Sequence, residues 1–165
     1  MQFNEYSHRH GKEIMLLTHK TELDEIFSIL RGLPKYPHGR EKNRTVKEYI
    51  APEFVKLGWK KEVEIPLGTG KADYCDLIKN RVALEQEYSR FEMFFRDFFR
   101  FILLYDQREI DVGAIITYDE MVFHNWGTGV RPYRSARASL QRLIDFLKGR
   151  YATVVRVPLL CIGVE

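Results

Sequence analysis

The sequence predicts an α/β sandwich built around one mixed β-sheet, and three observations predict it. Between Lys61 and Glu87, three short runs of strand character follow one another through turn-sized connections, which reads as an antiparallel meander. Val112 to Thr117 and Val154 to Val164 are largely apolar runs of β-type residues, as expected of strands buried within a sheet. Phe91 to Tyr105 and Ser135 to Lys148 place apolar residues at helical spacing between those runs, so β-α-β-α-β crossovers complete the sheet. At 165 residues the chain is expected to be a single domain spanning 1–165. That length buries roughly two-thirds of the unfolded surface, enough for a substantial core.

Taken in order, Phe3 to Ser7 alternates loosely and is read as a short edge strand, whereas Ile14 to Leu17 is an apolar run without assignment. Thr21 and Asp24 fit the capping pattern of a helix start, followed by Leu23, Ile26, Phe27 and Leu30 on one helical face. Gly32 to Asn43 carries Leu33-Pro34, Tyr36-Pro37 and His38-Gly39, which is turn chemistry and marks a loop. Thr45 to Leu57 reads as a helix in spite of Pro52, with Gly58 as its stop. Lys61 to Leu67, Ala72 to Ile78 and Val82 to Glu87 are the meander strands. Gly68-Thr69-Gly70 and Lys79-Asn80-Arg81 are their turns.

Composition narrows the function classes. Lys and Arg total 26 against 23 Asp and Glu, a net charge of +3, so a histone-like electrostatic binder is excluded. Cys75 and Cys161 lie far apart in apolar surroundings and form no metal knuckle, so they are read as buried free thiols of a reducing, cytoplasmic compartment. No apolar run has signal-peptide or membrane-span length, and no membrane partner is expected. His8 and His10 lack a third ligand and read as exposed polar residues. His124-Asn125-Trp126 lacks the paired histidines of an HNH nuclease, and no GxSxG elbow supports serine hydrolysis.

Three carboxylates stand apart: Asp76, Glu85 and Glu87. Strand alternation puts Glu85 and Glu87 on one face with Ala83, and Val82 and Leu84 on the other. The hairpin at Asn80 folds Asp76 back beside them, so three negative charges are expected to converge at one end of the sheet. Oxygen donors of this kind suit a hard divalent cation such as Mg²⁺. With 23 acids in the chain, the spacing arises by chance about 0.4 times, so it is the apolar run before the acids and the hairpin partner that carry the reading. Asp73 is a competing ligand that alternation places opposite Asp76, and Glu48 and Glu53 are read as surface helix residues.

The stretch KADYCDLIKNRVALEQEY, then RFEMFFRDFFRF and EIDVGAIIT, resembles the core of BglII/BstYI-type restriction endonucleases. These belong to the PD-(D/E)xK nuclease superfamily, with BamHI a structural relative. NEYSHRHGKEI, KLGWKKEVEI and VPLLCIGVE extend the resemblance in the same order over most of the chain. It implies a PD-(D/E)xK-type three-layer sandwich, with helices flanking the mixed sheet. It further implies a Mg²⁺-dependent type II endonuclease that hydrolyses double-stranded DNA at a short palindromic site as a homodimer, with a cognate DNA methyltransferase encoded nearby. On this resemblance Asp76 and Glu85 are metal ligands and Gln86 offers its backbone carbonyl. Glu87 stands where most of the superfamily has Lys, the nearest relatives Gln and BamHI Glu. Whether it orients the attacking water or shares a second metal is left open.

Basic residues cluster in 35–61 and in 131–156, and segregated positive charge suits phosphate contacts. Arg131 and Arg134, in the loop GTGVRPYR, and Arg137 are DNA-binding candidates, since Arg reads guanine edges bidentately. Arg90 joins them because the family places a DNA-contacting residue there, although that residue is Asn in the relatives. The phenylalanines of 91–101 read as a core stripe, with any leftover face available for dimerisation. Two rival functions remain: a repair or junction nuclease without sequence preference, and a catalytically idle DNA-binding protein of the same fold.

Overall fold

A computed structural model of the chain describes residues 2–33, 42–67, 72–124, 137–149 and 152–165, with the backbone alone at 42–48 and 123–124. The described residues form a six-stranded sheet of strands β1 (Phe3–His8), β2 (Lys60–Pro66), β3 (Ala72–Lys79), β4 (Val82–Gln86), β5 (Val112–Tyr118) and β6 (Leu159–Val164). Their spatial order is β1-β6-β5-β4-β3-β2. The β2-β3-β4 meander is antiparallel, β4-β5 and β5-β6 are parallel, and β1 closes the edge antiparallel to β6. Helix α4 (Met93–Asp106) makes the crossover from β4 to β5. Helices α5 (Glu120–His124) and α6 (Leu140–Lys148) lie between β5 and β6. The remaining helices, α1 (Gly11–Thr18), α2 (Lys20–Gly32) and α3 (Lys42–Lys56), come before the meander.

Alternation along the strands sorts the core into two layers. Val82 and Leu84 of β4, Ala114 and Ile116 of β5, and Leu160 and Ile162 of β6 pack with Met15, Leu23, Ile26, Ile50 and Phe54 from α1 to α3. Ala83, Ile115, Leu159 and Cys161 face the other way, onto Phe94, Phe98 and Phe101 of α4 and Leu143 and Leu147 of α6. The result is the helix–sheet–helix sandwich expected from the sequence. β5 and β6 are buried at every position, because helices cover both of their faces.

The β3–β4 hairpin is tighter than the sequence suggested. Lys79 pairs with Val82, leaving a two-residue loop in which Asn80 and Arg81 both have positive φ, 45° and 67°. That is the backbone of a type I′ turn, whose twist matches its flanking strands. Asn80 donates to Glu22 of α2, and Arg81 holds Asp111, so side-chain contacts offset the strain of a left-handed Arg.

Several boundaries differ from the sequence expectation. The unassigned apolar run belongs to α1, and α2 begins at Lys20 with His19 at its cap, so Thr21 lies inside the helix. α6 starts only after Ser139, whose hydroxyl accepts from the backbone N–H of Arg142; residues 137–139 are not helical. β6 starts at Leu159, since Pro158 has no N–H to contribute to a ladder. His8 is buried, its ring hydrogen-bonded to the Val155 carbonyl at 2.8 Å, and burial lowers its pKa. Pro52 does not end α3, which runs on to Lys56, with Gly58 at φ 88° beyond it. Of the loop expected at 32–43, Gly32 instead ends α2 and Lys42 and Asn43 open α3; residues 34–41, like the turn expected at 68–70, lie outside the described residues. Among the described residues no helix is long and apolar enough to cross a membrane.

Candidate active site

The β3–β4 ladder ends at the pair Leu77–Leu84. Two residues further on, the backbone N–H of Gln86 has no ladder partner on β3, and the Asp76 carboxylate accepts from it at 3.0 Å. The two strands therefore part at the point where the acids begin. Past the end of β4, the Glu87 N–H still bonds to the Ile116 carbonyl at 3.0 Å, which fixes the backbone of 85–87 against β5. Glu87 is buried, and its Oε1 accepts from the backbone N–H of Ser89 at 2.6 Å and from the Ser89 hydroxyl.

Asp76, Gln86 and Glu87 open into a cleft of about 1010 Å³. Its walls come from Pro52, Val55 and Lys56 of α3, Lys61 of β2, and Met93 and Arg96 of α4. Lys56, Lys61 and Arg96 thus flank a carboxylate floor, with Glu62, paired to Lys61 at 3.1 Å, also in the wall; the cations suit a phosphate that must approach negative charge. Glu85 does not line this cleft. The residue is 2% exposed, and its carboxylate accepts from the Arg100 Nη1 of α4 at 3.3 Å. Arg100 also donates to Asp97 at 3.3 Å and, through Nη2, to Asp73.

Among the described residues no three His, Cys, Asp or Glu side chains stand close enough to hold a metal by themselves. The expected convergence of three carboxylates is corrected accordingly: Arg100 draws Glu85 to the α4 side while Asp76 stays on the Gln86 N–H. Asp73, expected on the face opposite Asp76 as a competing ligand, is linked to Glu85 through the same guanidinium. The donor chemistry nevertheless fits a hard divalent cation, for which one or two carboxylates plus waters suffice. The Gln86 side-chain oxygen and nitrogen are buried, 4% exposed as a residue, without a hydrogen-bond partner among the described residues. Buried polar atoms without partners are uncommon in folded proteins.

The electrostatics follow from this packing. Burial, and then the charge of Glu87, push the Asp97 carboxyl up to about 7, and its Oδ2 has no partner among the described residues. Asp73 is held below its ordinary range, chiefly by its hydrogen bond to Arg100. For Arg100, burial opposes the charged form, but Asp73, Glu85 and Asp97 outweigh it and raise the pKa. Cys75 is raised well above the usual thiol range by burial first and by Glu85 second, which keeps it an inert thiol.

Of the predicted DNA-contacting residues, Arg90 is exposed in the turn before α4, where its carbonyl accepts from Met93. Arg137 is half-buried ahead of α6, and burial lowers its pKa. Arg131 and Arg134 lie outside the described residues. Glu53 is on the exposed side of α3, paired with Lys56 at 2.6 Å. Asp97, Arg100 and Arg96 were not singled out from the sequence. Asp97 could have been, because it falls on the buried stripe Phe94-Asp97-Phe98-Phe101, where a carboxylate is out of place.

Compared with known proteins, residues 3–164 match the family model Restriction endonuclease BglII/BglIII. This chain belongs to the BglII restriction endonuclease family. As a member, it is a type II site-specific DNA-cleaving enzyme. It is similar in structure to restriction endonuclease BglII complexed with a DNA 16-mer, at a TM-score of 0.80 and 17% identity, over 100% of this chain and 78% of that one. It is similar as well to free BglII, at a TM-score of 0.73 and 18% identity, over 100% and 80% respectively. At these identities the two structures establish the fold. No curated protein matches the chain. BglII-type restriction endonucleases are in general dependent on a divalent metal.

Proposed function

We propose that this BglII-family chain uses Mg²⁺ to cut double-stranded DNA within a short palindrome, acting as a homodimer beside a cognate methyltransferase. The observation that carries the reading is the meeting of Asp76, Gln86 and Glu87 at the floor of a cleft walled by Lys56, Lys61 and Arg96. Asp76 and Glu85 would hold the cation, with the Gln86 carbonyl. When bound, it would supply Lewis-acid stabilisation of the phosphoryl oxygens and acidify a water. Glu87, fixed by Ser89, would orient the attacking water or share a second cation. Lys56, Lys61 and Arg96 would hold the strand by its phosphates. Arg90, Arg131, Arg134 and Arg137 are proposed to contact DNA beyond the scissile bond. A palindromic site is matched by two-fold protein symmetry, which is the reason for proposing a dimer.

The test is incubation of the purified chain with unmethylated plasmid DNA, in Mg²⁺ and in EDTA. Discrete Mg²⁺-dependent fragments mapping to one palindrome are expected, and Asp76→Ala and Glu85→Ala abolish them while DNA binding persists. A smear of products supports a nuclease without sequence preference, and intact DNA under every condition supports an idle DNA-binding protein.

A further inference from the structure

One buried side chain ties the candidate site together without lining its cleft. Arg100 is 5% exposed and sits one helical turn after Asp97 on α4. Its Nη1 reaches both Glu85 and Asp97 at 3.3 Å, and its Nη2 binds Asp73. It therefore holds carboxylates from β3, β4 and α4 at once. Its Nε is buried with no partner among the described residues, so the fork is used at its tip only. The guanidinium is the buried positive group shared by Asp73, Glu85 and Asp97.

A buried carboxylate without compensation is destabilising, so the Arg100 guanidinium stabilises these carboxylates in the fold. Two positive charges cannot share one Glu85 carboxylate at full strength. The contacts to Glu85 and Asp97, both 3.3 Å, are long for charge-assisted hydrogen bonds and share Nη1, whereas Asp73 is bound by the separate Nη2. Arg100 can therefore release Glu85 and remain anchored on Asp73. The orphaned Oδ2 of Asp97 offers it a second acceptor on that side.

We propose that Arg100 is a positioning residue that competes with the divalent cation for Glu85 and thereby sets the cation affinity of the site. This rests on the reading of Asp76 and Glu85 as cation ligands. It assigns Arg100 a built-in counter-charge whose contact with Glu85 is exchanged for the cation while its contact with Asp73 is kept.

The probe is Tb³⁺, followed by its luminescence and by displacement with Mg²⁺, on the full chain without DNA. In Arg100→Gln the Tb³⁺ affinity rises by about tenfold or more, because a unit charge a few ångströms away is removed from a low-dielectric site. Arg100→Lys keeps the charge and stays within about threefold of wild type. Thermal denaturation of Arg100→Gln shows a lowered midpoint in EDTA that Mg²⁺ restores by a larger increment than in wild type. A purely structural role lowers both midpoints equally and leaves the affinity unmoved, which overturns the proposal. So does a Lys variant that binds as tightly as the Gln variant.

Should the Gln variant not fold, the wild-type chain still decides. The Arg100 Nε–Hε resonance, assigned by its loss in Arg100→Lys, shifts along the Mg²⁺ titration if Glu85 is exchanged, and a resonance that stays fixed while Mg²⁺ saturates overturns it. Saturable binding that Asp76→Asn abolishes, with Arg100 indifferent to it, removes this inference alone. No saturable binding in wild type removes the cation-site reading and this inference with it.

Discussion

Replacing Asp97 by Asn isolates the effect of one buried carboxyl on the pH dependence of stability. Asp97 is 2% exposed, and burial together with Glu87 raises its folded pKa to about 7, against an ordinary value of 3.8. In the unfolded chain the group therefore ionises about three pH units earlier than in the fold. The sign follows directly: a raised carboxyl contributes stability below the unfolded pKa, and that contribution is lost as pH rises from about 4 through 7. At 1.36 kcal/mol per unit the full swing is about 4 kcal/mol. Asn mimics the protonated carboxyl in shape and can still accept from Arg100. Asp97→Asn should therefore match wild type at pH 4.5 to within about 1 kcal/mol and exceed its stability at pH 8.5 by about 2–4 kcal/mol. Urea unfolding of both chains in EDTA at the two pH values measures this, and taking the difference between chains cancels the other titrating groups. A variant less stable than wild type at pH 8.5 refutes the reasoning, because it means that Asp97 is ionised and gains more from Arg100 than burial costs it.

Three further outcomes are expected. Gly11→Ala places a Cβ onto the Leu159 backbone at the seam between α1 and β6, so the backbone itself must move, and the unfolding free energy falls by about 2 kcal/mol or more. Arg96→Ala weakens DNA binding by a similar factor on all sequences and reduces the slope of log affinity against log salt by about 1, as loss of one phosphate contact requires. Cys75 and Cys161, buried and with their pKa raised by burial, stay unlabelled by Ellman's reagent in the native chain and react together in guanidinium.

What the sequence determined by itself is the fold and the address of the acids. Strand alternation at 82–87 assigns Val82 and Leu84 to one layer and Ala83 to the other, which is how the core is divided. The all-apolar run at 112–117 marks a strand covered on both faces for the same reason: pattern follows burial. Boundaries were less legible where neighbours override local preference. Thr21 has the chemistry of a cap, but α2 starts earlier, at Lys20.

Only the tertiary structure decided which charges meet. Asp76 and Glu85 are nine residues apart in a hairpin, so their place at the same end of the sheet is local and readable from spacing. Arg100 lies 15 and 27 residues from Glu85 and Asp73, and only the α4 crossover swings it under the strands to bind both. Alternation within one strand cannot announce a guanidinium delivered from another layer. The division of the acids, with Asp76 and Glu87 on the cleft and Glu85 beneath it, is accordingly a property of packing, because electrostatic partners are chosen by distance in space.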